Sequence, residues 1–243
     1  MEPLDVAVVI PVLNEAASIA AVIAEIPRDL VREIIVVDGG SSDGTGQIAA
    51  AAGARVVVPG QGGYGRACRT GAASATVDCG IIAFMDGDGA DRGDLIARII
   101  EPIRQGGYDF VIASRARGER EPGSMAWHQL VAGHLAGIGT QLLYGVRYTD
   151  MCAYRAIRRD CLDQLRMREM TYGWNIEMQM KAARSGLRVL EVPMPYRCRR
   201  GGESKVAGTV RGSLRAGWRI VTTFLRVAAA PAPGFPPEVP EAR

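Results

Sequence analysis

The chain has 243 residues, 48% apolar and 23% charged, a composition far from collagenous or disordered chains and sufficient for a sizeable core without metal or disulfide staples. Five scattered cysteines form no C-x-x-C pair, and His128 and His134 are spaced so that they do not share a helical face. Disulfide frameworks, histidine-ligated zinc enzymes and Ser-His-Asp hydrolases are therefore disfavoured. Net charge is only +3, yet residues 181–220 carry ten basic side chains against Glu191 and Glu203, a cationic quarter suited to phosphates, nucleic acid or an anionic membrane surface.

The first residues are acidic and the apolar run after them is cut by Pro11 and Asn14, which does not read as a signal peptide; the expectation is a cytoplasmic protein. Val/Ile-rich runs then alternate with helical patterns. Strands are expected at Val6–Ile10, Glu33–Val37, Arg55–Val58, Ile81–Met85 and Phe110–Ala113, and helices at Glu15–Ile26, Gly44–Ala52, Arg66–Ala75 and Asp91–Ile103. Five such units imply an α/β fold, a mostly parallel sheet flanked by helices, because parallel strands need crossovers.

The residues 122–146 carry no Asp, Glu, Lys or Arg. That is long enough to span a bilayer, but histidines, glutamines and glycines dilute it, and a buried or interfacial helix is the better reading. Gly133 and Gly137 signal close packing there. A turn over Asp150–Arg155, helices near Asp160–Leu165 and Trp174–Arg184, a strand at Leu187–Val192, a loop from Pro193 to Lys205 and a basic helix over Thr209–Val227 complete one domain, residues 1–228. Residues 229–243, five of them proline, read as a disordered tail.

Ligands of such sheets bind outside the carboxyl ends of the strands. At those ends stand Pro11 to Glu15, Asp38 to Thr45, Gly60 to Gly65, Asp86 to Gly89, and Ser114-Arg115. Asp86-Gly87-Asp88 offers two hard oxygen ligands suited to a divalent metal that also holds a diphosphate, with Gly87 letting the backbone approach a bulky anion. A helix-capping turn explains the same residues without chemistry. Asp38 is placed to accept from a base N–H or a ribose hydroxyl, whereas Asp43 reads as a cap. Gly60-x-Gly62-x-x-Gly65, followed by Asp86, also matches a dinucleotide fingerprint, although it lies in the third unit instead of the first.

The run Val9-Ile10-Pro11-Val12-Leu13-Asn14-Glu15, then Ile35-Val36-Val37-Asp38 with Ser41-Ser42-Asp43-Gly44-Thr45, then Asp86-Gly87-Asp88-Gly89, resembles the inverting family 2 glycosyltransferases of GT-A fold. Thr149 to Arg155, Tyr172 to Met178, and Glu191-Val192-Pro193 through Gly202-Glu203-Ser204-Lys205 are similar to the branch containing dolichol-phosphate mannosyltransferase and polyprenyl-phosphate glucosyltransferases. The likeness covers residues 5–225.

The resemblance implies transfer of a hexose from a UDP- or GDP-sugar to a polyprenyl phosphate. Pro11, Asn14, Glu15, Asp38, Gly65, Arg66, Asp86, Gly87 and Asp88 would bind the nucleotide sugar, and Asp86 and Asp88 would hold Mg²⁺ or Mn²⁺. Arg115, Arg117, Arg199, Arg200, Ser204 and Lys205 would meet phosphates, with Trp174 and Glu177 near the acceptor. Asp88 and Arg115 join the catalytic set, and Asp150 is the carboxylate to name if a base is used; an ion pair explains Asp150 equally. An i,i+4 pair with Lys181 likewise explains Glu177. Where relatives often show Asp-Ala-Asp followed by Gln or Leu and His, Gly87, Ala90 and Asp91 stand here, so the resemblance does not carry over a glutamine as third metal ligand.

A hydroxyl acceptor fits the same residues. A nucleic-acid partner is not expected, because the cationic segment lacks interleaved aromatic stacking platforms. Contact with a membrane surface through the helix around Arg211, Arg215, Trp218 and Arg219 is expected if the acceptor is a lipid. A homo-oligomer remains open.

Overall fold

β1 (Asp5–Val12) is buried along most of its length because it lies at the centre of a sheet covered on both faces, as its continuous apolar run requires. The computed structural model describes residues 4–201 and 210–230, without the side chains of 210–214. Ser204, Lys205 and the tail from residue 231 lie outside the described residues.

After β1 come α1 (Ile19–Glu25), β2 (Glu33–Asp38), α2 (Thr45–Ala51), β3 (Arg55–Val57), α3 (Tyr64–Ser74), β4 (Cys79–Phe84), α4 (Ala97–Arg104) and β5 (Phe110–Ser114). The second half holds α5 (Trp127–Tyr144), β6 (Arg155–Arg158), α6 (Arg159–Leu165), α7 (Trp174–Arg184), β7 (Val189–Pro193) and α8 (Val210–Ala229). Seven strands form one sheet in the order β3-β2-β1-β4-β6-β5-β7. All neighbours are parallel except β6, which runs antiparallel to both β4 and β5.

β6 was not expected. Its four residues, Arg155-Ala156-Ile157-Arg158, are charged at both ends and too short to show a period. Arg155 is nonetheless fully buried: Nη1 donates to Asn175 O at 3.1 Å, Nη2 donates to Cys152 O, and the guanidinium lies 5.8 Å over the centroid of the Phe110 ring. The helix expected at Asp91–Ile103 is divided: a single 3₁₀ turn at Gly93–Leu95 precedes α4.

α3 lies directly on the sheet. A Cβ on Gly71 would come 2.3 Å from Val9 Cγ1 and 2.9 Å from Val37 Cγ2, so only glycine permits this approach. The glycines of α5 act likewise: a Cβ on Gly137 would meet the Tyr148 carbonyl oxygen at 1.7 Å, and one on Gly133 would touch Asp150 Cα at 3.4 Å. The G-x-x-x-G pair therefore presses α5 against the 148–150 turn. Its other face is exposed at Trp127, Val131, Leu135 and Leu142, and no helix among the described residues is long and apolar enough to cross a membrane.

Candidate active site

Two loops at the carboxyl edge of the sheet lock together. Asn14 adopts a left-handed conformation (φ 54°), one that asparagine tolerates better than most residues. Its amide donates to Ser41 Oγ at 2.8 Å and its Oδ1 accepts from the Ser42 amide at 2.9 Å. The Glu15 amide donates to Thr45 Oγ1, and the Ala16 amide to Asp43 Oδ2. Asp43 also accepts from the Thr45 amide and hydroxyl, in keeping with a purely structural role. Asp38 Oδ1 accepts from the Gly40 and Ser41 amides at 3.1 and 2.8 Å, so this buried carboxylate shapes its own loop.

These loops wall a cleft of about 260 Å³ lined by Pro11, Val12, Leu13, Glu15 and Gly39, by Gly62, Gly63, Tyr64 and Ala67 at the start of α3, and by Asp86, Asp88, Tyr172 and Arg199. Pro11, Glu15, Asp86 and Asp88, expected at the nucleotide sugar, are thus brought together, and Arg199, expected at an acceptor or phosphate, joins them in the same cleft. The glycine-rich segment contributes its middle, Gly62 and Gly63, while a Cβ on Gly60 or Gly62 would meet nothing within 4 Å.

Asp86 follows β4 by two residues and lines this cleft. Burial and then the neighbouring Asp88 charge push its carboxyl up to about 6. Asp88 is 2% exposed; its Oδ1 accepts from the Ala90 amide at 2.9 Å. Its Oδ2 lies 3.1 Å from Arg199 Nη2, an ion pair whose geometry makes no hydrogen bond, so that buried oxygen has no hydrogen-bond partner. Asp91 turns back to accept from the Asp86 amide at 3.0 Å, and burial with the Asp86 and Asp88 charges pushes it up to about 8.

Two crowded carboxylates, one with an oxygen left without a hydrogen bond, are a donor set for a hard divalent cation. Among the described residues no three His, Cys, Asp or Glu side chains are grouped to hold a metal, and Mg²⁺ is commonly held by one or two carboxylates together with phosphates, a number that Asp86 and Asp88 meet. Arg199 meanwhile supplies the positive charge.

The loop bearing Arg199 is fastened along Asp88 to Ala90. The Arg197 amide donates to Ala90 O and the Arg200 amide to Asp88 O. Arg197 grips Glu25 of α1 with two hydrogen bonds of 3.1 and 2.7 Å, and the Arg200 guanidinium joins the same carboxylate. Arg200 is thus an anchor for the loop and does not line the cleft. Glu25, Tyr64 and Tyr172 were not singled out from the sequence; Tyr64 and Tyr172 lie within the segments Gly60 to Gly65 and Tyr172 to Met178, but Glu25 is separated from its partners by more than 170 residues.

Several expectations are corrected. Gly87 is not among the residues lining the cleft, and a Cβ there would strike Val12 Cγ1 at 2.6 Å, so the missing side chain serves packing beneath β1. Gly65 serves close approach to the Glu169 carbonyl, 2.4 Å from a Cβ, and Arg66 contributes its amide to Met170 O; neither lines the cleft. Trp174 is 1% exposed and packs edge-on against Phe84 at 6.2 Å, which makes it core. Glu177 is buried, paired with Lys181 at 3.0 Å and accepting from the Arg168 and Glu169 amides, remote from the cleft lining. Arg117 donates to Glu191 O at 3.2 Å and is half-exposed.

Asp150 is not available as a base. Arg115 Nε and Nη2 each donate to it at 2.8 Å, and its Oδ2 also takes the Arg115 amide at 2.9 Å. Burial alone would raise this carboxyl, but the Arg115 charge and hydrogen bonds hold it below the ordinary aspartate range. The same pair commits Arg115, which stacks 5.0 Å over the Tyr196 ring, to positioning the loop. Glu191 holds the turn from the other side, accepting from the Thr149 amide and hydroxyl.

Residues 7–166 match the family described as Glycosyl transferase family 2. An uncharacterised glycosyltransferase of Mycobacterium tuberculosis is 35% identical over 228 residues, 89% of this chain and 98% of the relative. The undecaprenyl-phosphate mannosyltransferase of Micrococcus luteus is 31% identical, covering 84% of this chain and 88% of its own length. Among solved structures, glucosyl-3-phosphoglycerate synthase from Mycobacterium tuberculosis, in complex with Mn²⁺ and UDP-glucose, superimposes with a TM-score of 0.72 at 26% identity, over 94% of this chain and 80% of that one.

Proposed function

Because the chain belongs to glycosyl transferase family 2 and has the GT-A architecture of its structural neighbours, we propose that the cleft binds a nucleotide-diphosphate sugar and that the enzyme transfers the hexose, with inversion, to a polyprenyl phosphate. The observation that carries this reading is the pair of half-buried Asp86 and buried Asp88 just after β4, lining a cleft that also holds Arg199. The dinucleotide alternative is set aside, because Gly65 is spent on packing and the family is a transferase.

In the proposed reaction an acceptor phosphate oxygen attacks C1 of the sugar, the bond from C1 to the diphosphate oxygen breaks, and the nucleoside diphosphate leaves with the electron pair. A divalent ion held by Asp86 and Asp88 would neutralise charge developing on that leaving group. Arg199, already beside Asp88, is placed to add a charge-assisted contact. Pro11, Glu15 and Gly39 form the wall available to the nucleoside. A lipid phosphate is largely ionised at neutral pH, since its second pKa is about 6, so no strong base is required and the commitment of Asp150 to Arg115 is compatible with turnover.

Acceptor choice is supported by relatives named for undecaprenyl-phosphate mannose transfer and, in Haloferax volcanii at 32% identity, for dolichyl-phosphate hexose transfer. A surface for such a lipid is offered by α5 and α8, which meet where Gly139 abuts the Phe224 ring and which expose Trp127, Val131 and Leu135, and Trp218, Val221 and Leu225, respectively. Arg215 and Arg219 are exposed on α8, as binding to anionic headgroups requires.

The test is transfer of labelled sugar from a panel of UDP- and GDP-sugars to polyprenyl phosphate, with Mn²⁺ or excess chelator. Metal-dependent label in the organic phase, lost in Asp88→Ala, supports the reading. Donor cleavage without lipid label assigns a hydroxyl acceptor, and no donor turnover refutes it.

A further inference from the structure

A second cavity, of about 310 Å³, opens between the end of α6, the outer face of α7 and the end of α8, and none of its lining residues lines the donor cleft. Five cations, Arg166, Arg168, Lys181, Arg184 and Arg226, face a single carboxylate there, Glu177. That carboxylate is saturated: it pairs with Lys181 at 3.0 Å, lies 3.7 Å from Arg226, and accepts from the Arg168 and Glu169 amides.

The cations are not equivalent. Lys181 is held against the Leu165 and Arg166 carbonyl oxygens, and burial, the largest influence on it, lowers its pKa. Arg184 gives Nη1 to Val227 O and Ala230 O, while its buried Nε has no hydrogen-bond partner. Arg226 reaches Glu169 at 3.2 Å yet stays half-exposed. The Arg166 and Arg168 side chains make no ion pair among the described residues and are exposed at the rim. Arg166 also takes a left-handed conformation (φ 46°) at the end of α6, where glycine is the usual residue.

Five like charges around one cavity repel one another; Lys181, Arg184 and Arg226 are partly engaged by protein groups, whereas the Arg166 and Arg168 side chains have no ion-pair partner among the described residues. Guanidinium groups at a cavity rim are suited to bidentate capture of phosphate oxygens. We propose that this cavity is an anion site separate from the donor cleft, binding a phosphate or diphosphate group, with Arg166, Arg168 and Arg226 as its principal contacts. The group is either that of a free phosphorylated metabolite or the headgroup of an anionic lipid.

The experiment is calorimetric titration of the full chain with pyrophosphate at fixed ionic strength, comparing the wild type with Arg166→Gln/Arg168→Gln and with Arg226→Gln. The double variant removes exposed, unpaired side chains, so its unfolding midpoint without ligand should match the wild type. Loss of a binding event, or an affinity reduced at least about tenfold, is expected in both variants. Unchanged affinity in the double variant, which places pyrophosphate in the donor cleft or elsewhere, overturns the proposal, as does absence of wild-type binding. Flotation with phosphatidylglycerol vesicles separates the sources: reduced vesicle binding by the double variant assigns a lipid headgroup, and vesicle behaviour equal to wild type beside lost pyrophosphate binding assigns a free phosphate.

Discussion

Arg115 and Asp150 face each other as a bidentate pair, two guanidinium nitrogens each 2.8 Å from a carboxylate oxygen, and thereby tie the end of β5 to the turn that precedes β6. The side chains are 15% and 3% exposed, so each charge depends on the other for solvation. Asp150→Asn should therefore destabilise the fold by about 3 kcal/mol, measured by urea unfolding at neutral pH.

The same pair sets a pH dependence. The folded-state pKa of Asp150 is depressed, so its contribution is present above the unfolded value, about 4, and is lost as pH falls through the lower folded value. Stability measured between neutral and acidic pH should fall less steeply at the acid end in Asp150→Asn than in the wild type. An equal slope would mean that the pair does not form in solution.

A divalent cation bound at Asp88 would compete with Arg199 for the same carboxylate, because Arg199 Nη2 stands 3.1 Å from the Asp88 oxygen that has no hydrogen bond. Arg199→Gln should tighten Mn²⁺ binding, read by electron paramagnetic resonance as a fall in free Mn²⁺. Its turnover should still drop about 100-fold if the guanidinium stabilises the leaving diphosphate.

Two helical glycines should respond in opposite directions to alanine. At Gly137 the added Cβ meets a backbone oxygen at 1.7 Å, which neither partner can evade without moving α5, and a loss of about 3 kcal/mol is expected. At Gly217 on α8 the added Cβ meets nothing within 4 Å, and the gain should be about 0.5–1 kcal/mol from reduced chain entropy. Thermal unfolding of both variants checks the pair.

The exposed ridge of α8 should matter for membranes and not for stability. Trp218 and Leu225 are 69% and 61% exposed, so Trp218→Ser/Leu225→Ser should leave the unfolding midpoint almost unchanged while weakening flotation with anionic vesicles. A second copy of the chain is the other occupant of this face, and a concentration-dependent change in sedimentation abolished by the same variant would assign it.

The parallel half of the sheet was legible because each strand is a self-contained Val/Ile run ending in a loop of glycines and carboxylates, from Pro11 to Glu15 and from Asp86 to Gly89. Periodicity and turn chemistry are local properties, and they located Pro11, Glu15, Asp86 and Asp88 at one edge before any contact was known. Sequence order likewise marked α5, and α8 within two residues at either end.

Only the tertiary structure decided what each of those residues faces. Arg155 reads in sequence as the end of a turn over Asp150–Arg155, yet it is buried in a strand, where Cys152, Asn175 and Phe110 converge on it. Asp150, Trp174 and Glu177 carry side chains fit for chemistry, but Arg115, Phe84 and Lys181 claim them for structure. Arg199, Arg200 and Glu25 gained their roles through contacts spanning much of the chain. Local pattern fixes which way a backbone segment folds, whereas the partner of a charge depends on which distant segment closes over it, and no short-range spacing encodes that.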